Sequence, residues 1–442
     1  MRHKWITRIM MMMILYALIA NSFFVLRWFP LLILPAVYGA LVLNVVPGLV
    51  VTNVKRLRLQ VCLHGAECLA IFSGAAVLSI GWHIYLAMRM LPEQWLLWLL
   101  SALVAFGVLM LLFWNGILCV YLTSVQLGIK LRVVGVLCGL IPVVQLIILG
   151  KIMTKTFREV REETEKDELN ARRQSLQICA TKYPILLVHG VCFRDFKHLN
   201  YWGRIPKELE KNGAVIYYGQ HQSARQVCFS AQELANRIRW ITENTGVEKV
   251  NIIAHSKGGL DCRWAMQDPQ IASRVASLTT VNTPHRGCEY ADYLFDKIDP
   301  KVQAKVADAY NRAARMAGDM TPDFIAAMRD LTASACQERN RKMQTPEGVY
   351  CQSIGSVLKK ARSGKFPLKY TYQLVKEFDG LNDGLVGVGS FAWGQDYQLL
   401  TPKARRGISH GDVIDMNREN IPGFDVREFY VELVSKLKDK GL

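Results

Sequence analysis

The chain has 442 residues, a formal net charge of +17 and 51% hydrophobic residues, which is more apolar than an ordinary soluble domain. Residues 1–150 contain ten Lys or Arg and only two acids, whereas residues 151–442 contain 44 basic and 35 acidic side chains. This distribution argues against a fully soluble chain and against a nucleic-acid-binding protein. It predicts a membrane region followed by one large water-soluble domain.

Five apolar stretches follow one another in the first third of the chain, at residues 8–27, 29–54, 65–88, 95–123 and 133–152. About 20 apolar residues cross a bilayer, so residues 1–152 are expected to form an all-α transmembrane region of about five helices. The first stretch has no evident cleavage site and more stretches follow it at once. A cleaved signal peptide therefore explains it poorly.

The loops between these stretches predict the membrane orientation. With five spans, eight basic residues lie on the side of the N-terminus and only Arg27 and Arg89 lie on the other side. The positive-inside rule then places the C-terminal domain outside the cytoplasm. Two features oppose this placement: four basic residues directly follow the last span, and the soluble part has seven cysteines, including Cys192, without a disulfide-like spacing.

The soluble part begins with a charge-rich segment, residues 153–180, that has no proline or glycine and is expected to be a helical stalk. An α/β domain is predicted over residues 181–442. Its predicted elements are a helix at 231–246 that ends in glycine and apolar strands in YPILLVHG (183–190), AVIYYG (214–219), KVNIIAH (249–255) and VASLTTVNTP (275–284). Strands that alternate with helices predict a mostly parallel sheet covered on both faces.

Residues 285–347 interrupt this alternation with two helical patterns placed between strands. The segment is about twice as long as an ordinary crossover, which favours an inserted cap or lid. Ordinary crossover helices are the alternative.

The stretch VNIIAHSKGGLD (250–261) places Ser256 between a strand and a helix, with Ala254 two residues before it and Gly258 two residues after it. Larger side chains at these two positions would collide in a sharp strand-to-helix turn. The pattern predicts a nucleophile elbow, with alanine in place of the first glycine of G-x-S-x-G. A turn with a passive serine is the alternative.

A serine nucleophile needs a base and an orienting acid, which on such a sheet follow the serine in the order acid and then histidine. After His285, the sequence contains only His410, in ISHGDVID. Asp383, in GLNDGLVGVGS at the expected edge of an apolar strand, is the predicted acid, and Asp379 is the second candidate. The backbone N–H groups of Val191 and Lys257 are the predicted oxyanion donors.

Five motifs in this order resemble the bacterial triacylglycerol lipases of the α/β-hydrolase fold. They are YPILLVHGVCFRDF, AHSKGGLD, TVNTPHRG, NDGLVGVGS and ISHGDVID, and the resemblance runs from about Tyr183 to the C-terminus. It implies Ser256, Asp383 and His410 as nucleophile, acid and base, Val191 and Lys257 as the oxyanion hole, and a mobile helical lid at residues 285–347.

The same resemblance implies a structural calcium ion near the histidine loop, with Asp412 as a ligand. No second carboxylate ligand is identifiable by pattern, and Asp412 could instead cap the turn that follows it. A zinc-bearing insertion found in some relatives has no counterpart between AVIYYG and the next helix. No cofactor is expected to be needed for the chemistry.

These observations predict a membrane-anchored serine hydrolase that cleaves acyl esters of lipids. A deacylase or acyltransferase for a lipid-anchored glycan or phospholipid could use the same triad. A membrane sensor or transporter with a ligand-binding hydrolase-like domain is the alternative of another class, although only Glu67 and His83 stand out as polar residues within the spans. The sequence leaves the acyl chain length, the head group and the oligomeric state open.

Overall fold

The computed structural model describes residues 2–46, 54–139, 142–191, 200–403 and 405–442. Part of the predicted second and fifth spans, together with Cys192, lies outside these residues. The chain divides into two compact units, Met1–Leu169 and Asn170–Leu442.

The first unit is helical. Its helices are α1 (Arg2–Ala20), α2 (Phe23–Trp28), α3 (Ile33–Val45), α4 (Leu57–Met90), α5 (Trp95–Thr123), α6 (Gly128–Leu137) and α7 (Pro142–Arg173), the last of which continues into the second unit. Among the described residues, α4 and α5 are long and apolar enough to cross a membrane, and they coincide with the third and fourth predicted spans.

The other predicted spans differ from single long helices. The first is divided between α1, which ends at Ala20, and α2, which begins at Phe23. Pro30 begins a separate helical turn that starts the second stretch. The fifth stretch is shared between α6 and the start of α7.

The part of α7 that belongs to the first unit makes ion pairs with the residues around the start of α4. Arg58 donates to Glu159 at 2.7 Å, and Arg56 pairs with Glu163 and Asp167. The Glu159 carboxylate also accepts hydrogen bonds from the loop after α5, at Ser124, Val125 and Gln126. Charged residues in this segment therefore make specific tertiary contacts.

In the part of the second unit that the structure describes, six parallel strands form one sheet in the order β2-β1-β3-β4-β5-β6. The strands are β1 (Ile185–Val188), β2 (Ile216–Tyr218), β3 (Val250–His255), β4 (Val275–Val281), β5 (Tyr350–Ser356) and β6 (Asp396–Leu400). The first four were predicted, and the structure adds β5 and β6. The predicted strand beside Asp383 is wrong, because residues 380–387 form turns closed by an Asn382–Gly387 bridge.

Helices cover both faces of this sheet. On one face lie α8 (Ile205–Lys211) and α17 (Val426–Asp439), and on the other lie α9 (Val227–Thr245), α10 (Lys257–Ala265) and α11 (Pro269–Ala272). The remaining helices of the unit are α12 (Glu289–Lys297), α13 (Pro300–Met316), α14 (Phe324–Arg329), α15 (Ala333–Lys342) and α16 (Leu368–Asp379).

Strand β1 shows why its sequence is continuously apolar. Ile185 and Leu187 belong to the core beneath α8 and α17, whereas Leu186 and Val188 belong to the core beneath α9 and α10. A parallel strand buried on both faces needs apolar residues at every position. Because all strands run the same way, their carboxyl ends share one edge of the sheet.

Candidate active site

Ser256 lies at the turn between β3 and α10. Its backbone angles, φ 54° and ψ −130°, are strained for a residue with a side chain. Its N–H donates to the carbonyl oxygen of Val281 on the neighbouring strand at 2.9 Å. The serine is thus held at the carboxyl edge of the sheet in the backbone geometry of a nucleophile elbow.

Small residues around Ser256 are required by close contacts. A Cβ atom at Gly258 would lie 2.4 Å from the carbonyl oxygen of His189, as the collision argument from sequence predicts. A Cβ atom at Gly259 would lie 2.2 Å from Oγ1 of Thr283, and one at Gly190 would lie 2.8 Å from Cβ of Ser256. The loop after β1 therefore approaches the serine as closely as two backbones allow.

Asp383 and His410 are joined twice. His410 Nδ1 lies 2.6 Å from Oδ2 of Asp383, and the backbone N–H of His410 donates to the carbonyl oxygen of Asp383 at 2.9 Å. Both side chains are buried. Since Asp383 accepts at Nδ1, the histidine presents Nε2 as its free basic position, which is the tautomer that a general base requires.

Asp383 is held from its other side by groups that the sequence reasoning did not identify. Its Oδ1 accepts the backbone N–H groups of Leu385 and Val386, and its Oδ2 accepts Nδ2 of Asn282 at 2.7 Å. Asn282 follows β4, with φ 47°, and its side chain also donates to Ser356 at the end of β5. Its place in TVNTPHRG, directly after a buried strand, was the available signal.

Asp379, the second candidate acid, has a different contact. Its two carboxylate oxygens accept the backbone N–H groups of Glu289 and Tyr290 in the first turn of α12. Unpaired N–H groups at a helix start favour such an acceptor. The structure therefore brings His410 together with Asp383 and places Asp379 at a helix terminus.

The predicted oxyanion donors flank the serine. Lys257 is the first residue of α10, so its N–H is one of the helix-initial donors without an intrahelical acceptor. Val191 directly follows Gly190, the residue that abuts Ser256. His189 braces this loop, because its ring contacts the carbonyl oxygens of Gly190 and His221 and stacks on His221 at 3.9 Å.

The hydroxyl of Tyr201 connects the loop after β1 to His255. It accepts the N–H of Gly190 at 3.0 Å and lies 2.7 Å from Nδ1 of His255. The ring of His255 in turn lies 4.5 Å from the ring of His410. Burial lowers the pKa of His255 well below its usual range, so this ring packs against His410 as a neutral group.

The side chain of Lys257 points away from solvent into a buried pair. Its Nζ donates to Asp261 at 2.7 Å and to the Ser230 hydroxyl at 3.0 Å. Burial raises the pKa of Asp261 to about 7, and the Lys257 ammonium opposes that rise. The bond from Lys257 to Ser230 links α10 to α9, so the residue whose backbone N–H is the predicted oxyanion donor is also fixed through its side chain.

The implied calcium site does not fit the residues around Asp412. Arg406 donates to both carboxylate oxygens of Asp412 at 3.0 Å, and the backbone N–H of Ser409 donates to Oδ2. Asp412 therefore closes the turn that carries His410, rather than capping a turn after it. Among the described residues, no group of three or more His, Cys, Asp or Glu could hold a metal ion.

Asp415, just beyond Asp412, is also neutralised by arginine. Arg204 donates through its backbone N–H and through two guanidinium nitrogens, each at 2.8 Å. Two arginine–carboxylate pairs thus fix the segment after His410 where the resemblance implied a divalent cation.

Residues 183–316 match the family model of the alpha/beta hydrolase fold. This match and the parallel sheet confirm the predicted fold class of the second unit.

Curated relatives carry the name triacylglycerol lipase. One from Pseudarthrobacter phenanthrenivorans is 35% identical over 175 residues, covering 37% of this chain and 54% of the relative. One from Burkholderia plantarii is also 35% identical over 175 residues, covering 37% and 48%. The chain thus spans about half the length of these relatives. The solved mature form of a Bacillus licheniformis lipase is 20% identical, with a TM-score of 0.43, covering 58% of this chain and 92% of the other.

Proposed function

We propose that this protein is a carboxylic ester hydrolase that cleaves acyl esters of lipids. The proposal is supported by the strained backbone of Ser256 at the carboxyl edge of the sheet and by the buried Asp383–His410 pair, whose histidine ring lies 4.5 Å from the ring of His255, the residue before the serine. The name of the curated relatives supports lipid esters as the substrate class.

In the proposed reaction, Ser256 Oγ attacks the carbonyl carbon of the ester while His410 Nε2 takes the hydroxyl proton. Asp383 holds the histidine tautomer and stabilises the imidazolium that forms. The N–H groups of Val191 and Lys257 stabilise the developing oxyanion. His410 then returns the proton to the leaving alcohol, which leaves an acyl-enzyme.

Water completes the cycle. His410 takes a proton from the water as it attacks the acyl-enzyme, and the acid product leaves when Ser256 regains its proton. Four helices, α12 to α15, lie between β4 and β5 within residues 285–347. We assign to them the role of a lid that shields the oxyanion from water.

The lid is fastened to the loop before α9 by carboxylates. Asp319 accepts hydrogen bonds from the backbone N–H groups of Ser223 and Ala224 and from the Ser223 hydroxyl. Asp330 accepts the N–H of Val227, the first residue of α9. Opening of the lid would require these contacts to break.

We further propose that the first unit anchors the enzyme in a membrane, with the hydrolase unit on the side away from the cytoplasm. The two long apolar helices support the anchoring. The orientation is supported by the distribution of basic residues over the loops between five predicted spans. Anchoring would keep the catalytic unit beside lipid esters.

The first test is a panel of short-chain esters, triacylglycerols and phospholipids offered to the full-length protein, to Ser256→Ala and to Ser273→Ala. Ser273 is an exposed serine on the loop before β4 and serves as the matched control. Ser256→Ala should lower kcat by about 10⁴-fold or more, since triad members act as a unit. Ser273→Ala should keep full activity.

A fluorophosphonate probe should label Ser256 in the active protein. Labelling of another serine, or full activity in Ser256→Ala, would show that the proposed nucleophile is wrong. A protein that folds normally but hydrolyses no ester in the panel would contradict the proposed reaction class.

A further inference from the structure

An unusual surface lies beside the loops that carry Asp383 and His410. Between Glu347 and Glu377 the sequence has no acidic residue and has six basic residues. A second basic segment, TPKARR (401–406), follows β6. The chain brings these two segments together.

Hydrogen bonds join the two basic segments. Lys359 N–H donates to the carbonyl oxygen of Arg406 at 3.1 Å, and Leu358 and Gly407 form an antiparallel bridge. The ammonium of Lys359 donates to the carbonyl oxygen of Pro402 at 2.7 Å. The two basic segments therefore form one continuous surface.

Most of the cations on this surface face water. Lys365 pairs with Glu419, and Arg406 is clamped to Asp412. Five further basic side chains are exposed, and none of them pairs with a carboxylate of the described residues: Lys360, Arg362, Lys369, Lys403 and Arg405. Such a cluster maintains a positive potential that attracts anions.

Two aromatic side chains project from the same surface. Phe366 is 84% exposed and Tyr370 is 64% exposed, with ring centroids 6.3 Å apart. The ammonium of Lys369 lies 4.7 Å from the centroid of the Tyr370 ring. Leu368, between them, is buried and anchors the segment. Exposed aromatic rings among cations are characteristic of surfaces that enter the headgroup region of a bilayer.

This surface, the basic–aromatic patch, borders the acid and the base of the candidate site. Leu358 N–H donates to the carbonyl oxygen of Asn382, and the Thr371 hydroxyl donates to that of Gly384, the neighbours of Asp383. Ile408, two residues before His410, donates its backbone N–H to the carbonyl oxygen of Val357. A surface bound at the patch would therefore lie beside these catalytic loops.

We propose that the basic–aromatic patch docks the hydrolase unit on the anionic headgroups of a lipid bilayer, with Phe366 and Tyr370 entering the interface. The cations supply attraction to the charged surface, and the rings supply apolar area that a soluble polyanion would not use. The proposal deepens the proposed lipid hydrolysis and rests on it for its purpose. Docking itself, however, can be measured without turnover.

The test uses the full-length chain carrying Ser256→Ala, reconstituted in nanodiscs of phosphatidylcholine alone or mixed with phosphatidylglycerol. A photo-crosslinking phenylalanine replaces Phe366 in one sample and Trp240 in the other. Trp240 lies on α9 and is 48% exposed, which makes it a control for nonspecific lipid contact. Lipid adducts at each position are quantified by mass spectrometry.

Position 366 should give lipid adducts that increase with phosphatidylglycerol and decrease with added salt. Replacing Lys360, Arg362 and Lys369 by glutamine should reduce these adducts at least about tenfold, because each cation near an anionic membrane contributes roughly a fivefold factor. Replacing Lys207, Lys436 and Lys440, which are exposed lysines on or beside α8 and α17, should leave the yield unchanged.

Equal adduct yields at positions 366 and 240 would overturn the proposal, as would yields independent of lipid charge. Binding of a single-stranded RNA probe through the patch without lipid adducts would assign the surface to nucleic acid instead. Failure of ester hydrolysis in the protein with the native Ser256 would contradict the proposed function but would leave the docking result standing.

Discussion

Four buried polar side chains of residues 170–442, those of Ser256, Asn282, Asp383 and His410, belong to loops that follow strands of the sheet, whereas buried polar side chains on α1, α3, α4 and α5 pair with one another. Glu67, in the middle of α4, accepts from Arg8 at 2.6 Å. Asn115 of α5 donates to Asn44 of α3 at 2.6 Å and lies 3.2 Å from His64 of α4. Each of these polar side chains therefore has a polar partner on a neighbouring helix.

The polar groups of the second unit differ in backbone strain and in origin. Ser256 and Asn282 both have positive φ, and the Asp383–His410 pair joins loops that follow different strands. Strain that the surrounding structure maintains is characteristic of functional sites. Burial of a polar side chain by itself therefore indicates a role in packing. Burial together with a strained backbone, at a place where several loops meet, indicates a candidate functional site.

The largest expected effect separates the two candidate acids. Asp383→Asn should lower kcat by about 10⁴-fold, because the histidine would lose the acceptor that fixes its tautomer. Asp379→Asn should change kcat little, since its contact is with the start of α12. Steady-state kinetics on a soluble ester, together with circular dichroism to verify folding, measure both. A larger loss in Asp379→Asn would reverse the assignment.

A smaller effect is expected in the first unit. Glu67→Gln should lower the free energy of unfolding by about 2 kcal/mol, since it replaces a charge-assisted hydrogen bond with a neutral one. Hydrolysis of a soluble ester should be unchanged. Thermal unfolding in detergent measures the change in stability, and ester kinetics measure the activity. A folded Glu67→Gln protein without activity would give Glu67 a functional role and remove the contrast between the units.

The smallest expected effect concerns divalent cations. A chelator should change neither activity nor melting temperature, because Arg406 and Arg204 already neutralise Asp412 and Asp415. Asp412→Asn should lower the free energy of unfolding by about 1–2 kcal/mol through loss of its bond to Arg406. Melting curves with and without chelator measure this. Restoration of chelator-treated activity by calcium alone would return Asp412 to a metal-binding role.

Sequence alone predicted the class of the second unit and the identity of its candidate site residues. Strands with continuous apolar runs must be buried on both faces, and β1 and β3 have that property. The small residues around Ser256 and the order serine, acid, histidine are local features of the chain. For this reason the sequence could select Ser256, Asp383 and His410 without coordinates.

Only the tertiary structure decided which distant groups hold these residues. Asn282 reaches Asp383 across 101 positions, and Arg204 reaches Asp415 across 211. No periodicity or motif fixes such pairings, because they depend on how parallel strands align at one edge. The calcium ligand predicted at Asp412 has the same origin. An aspartate looks the same in the sequence whether its partner in the fold is a metal ion or the guanidinium of Arg406.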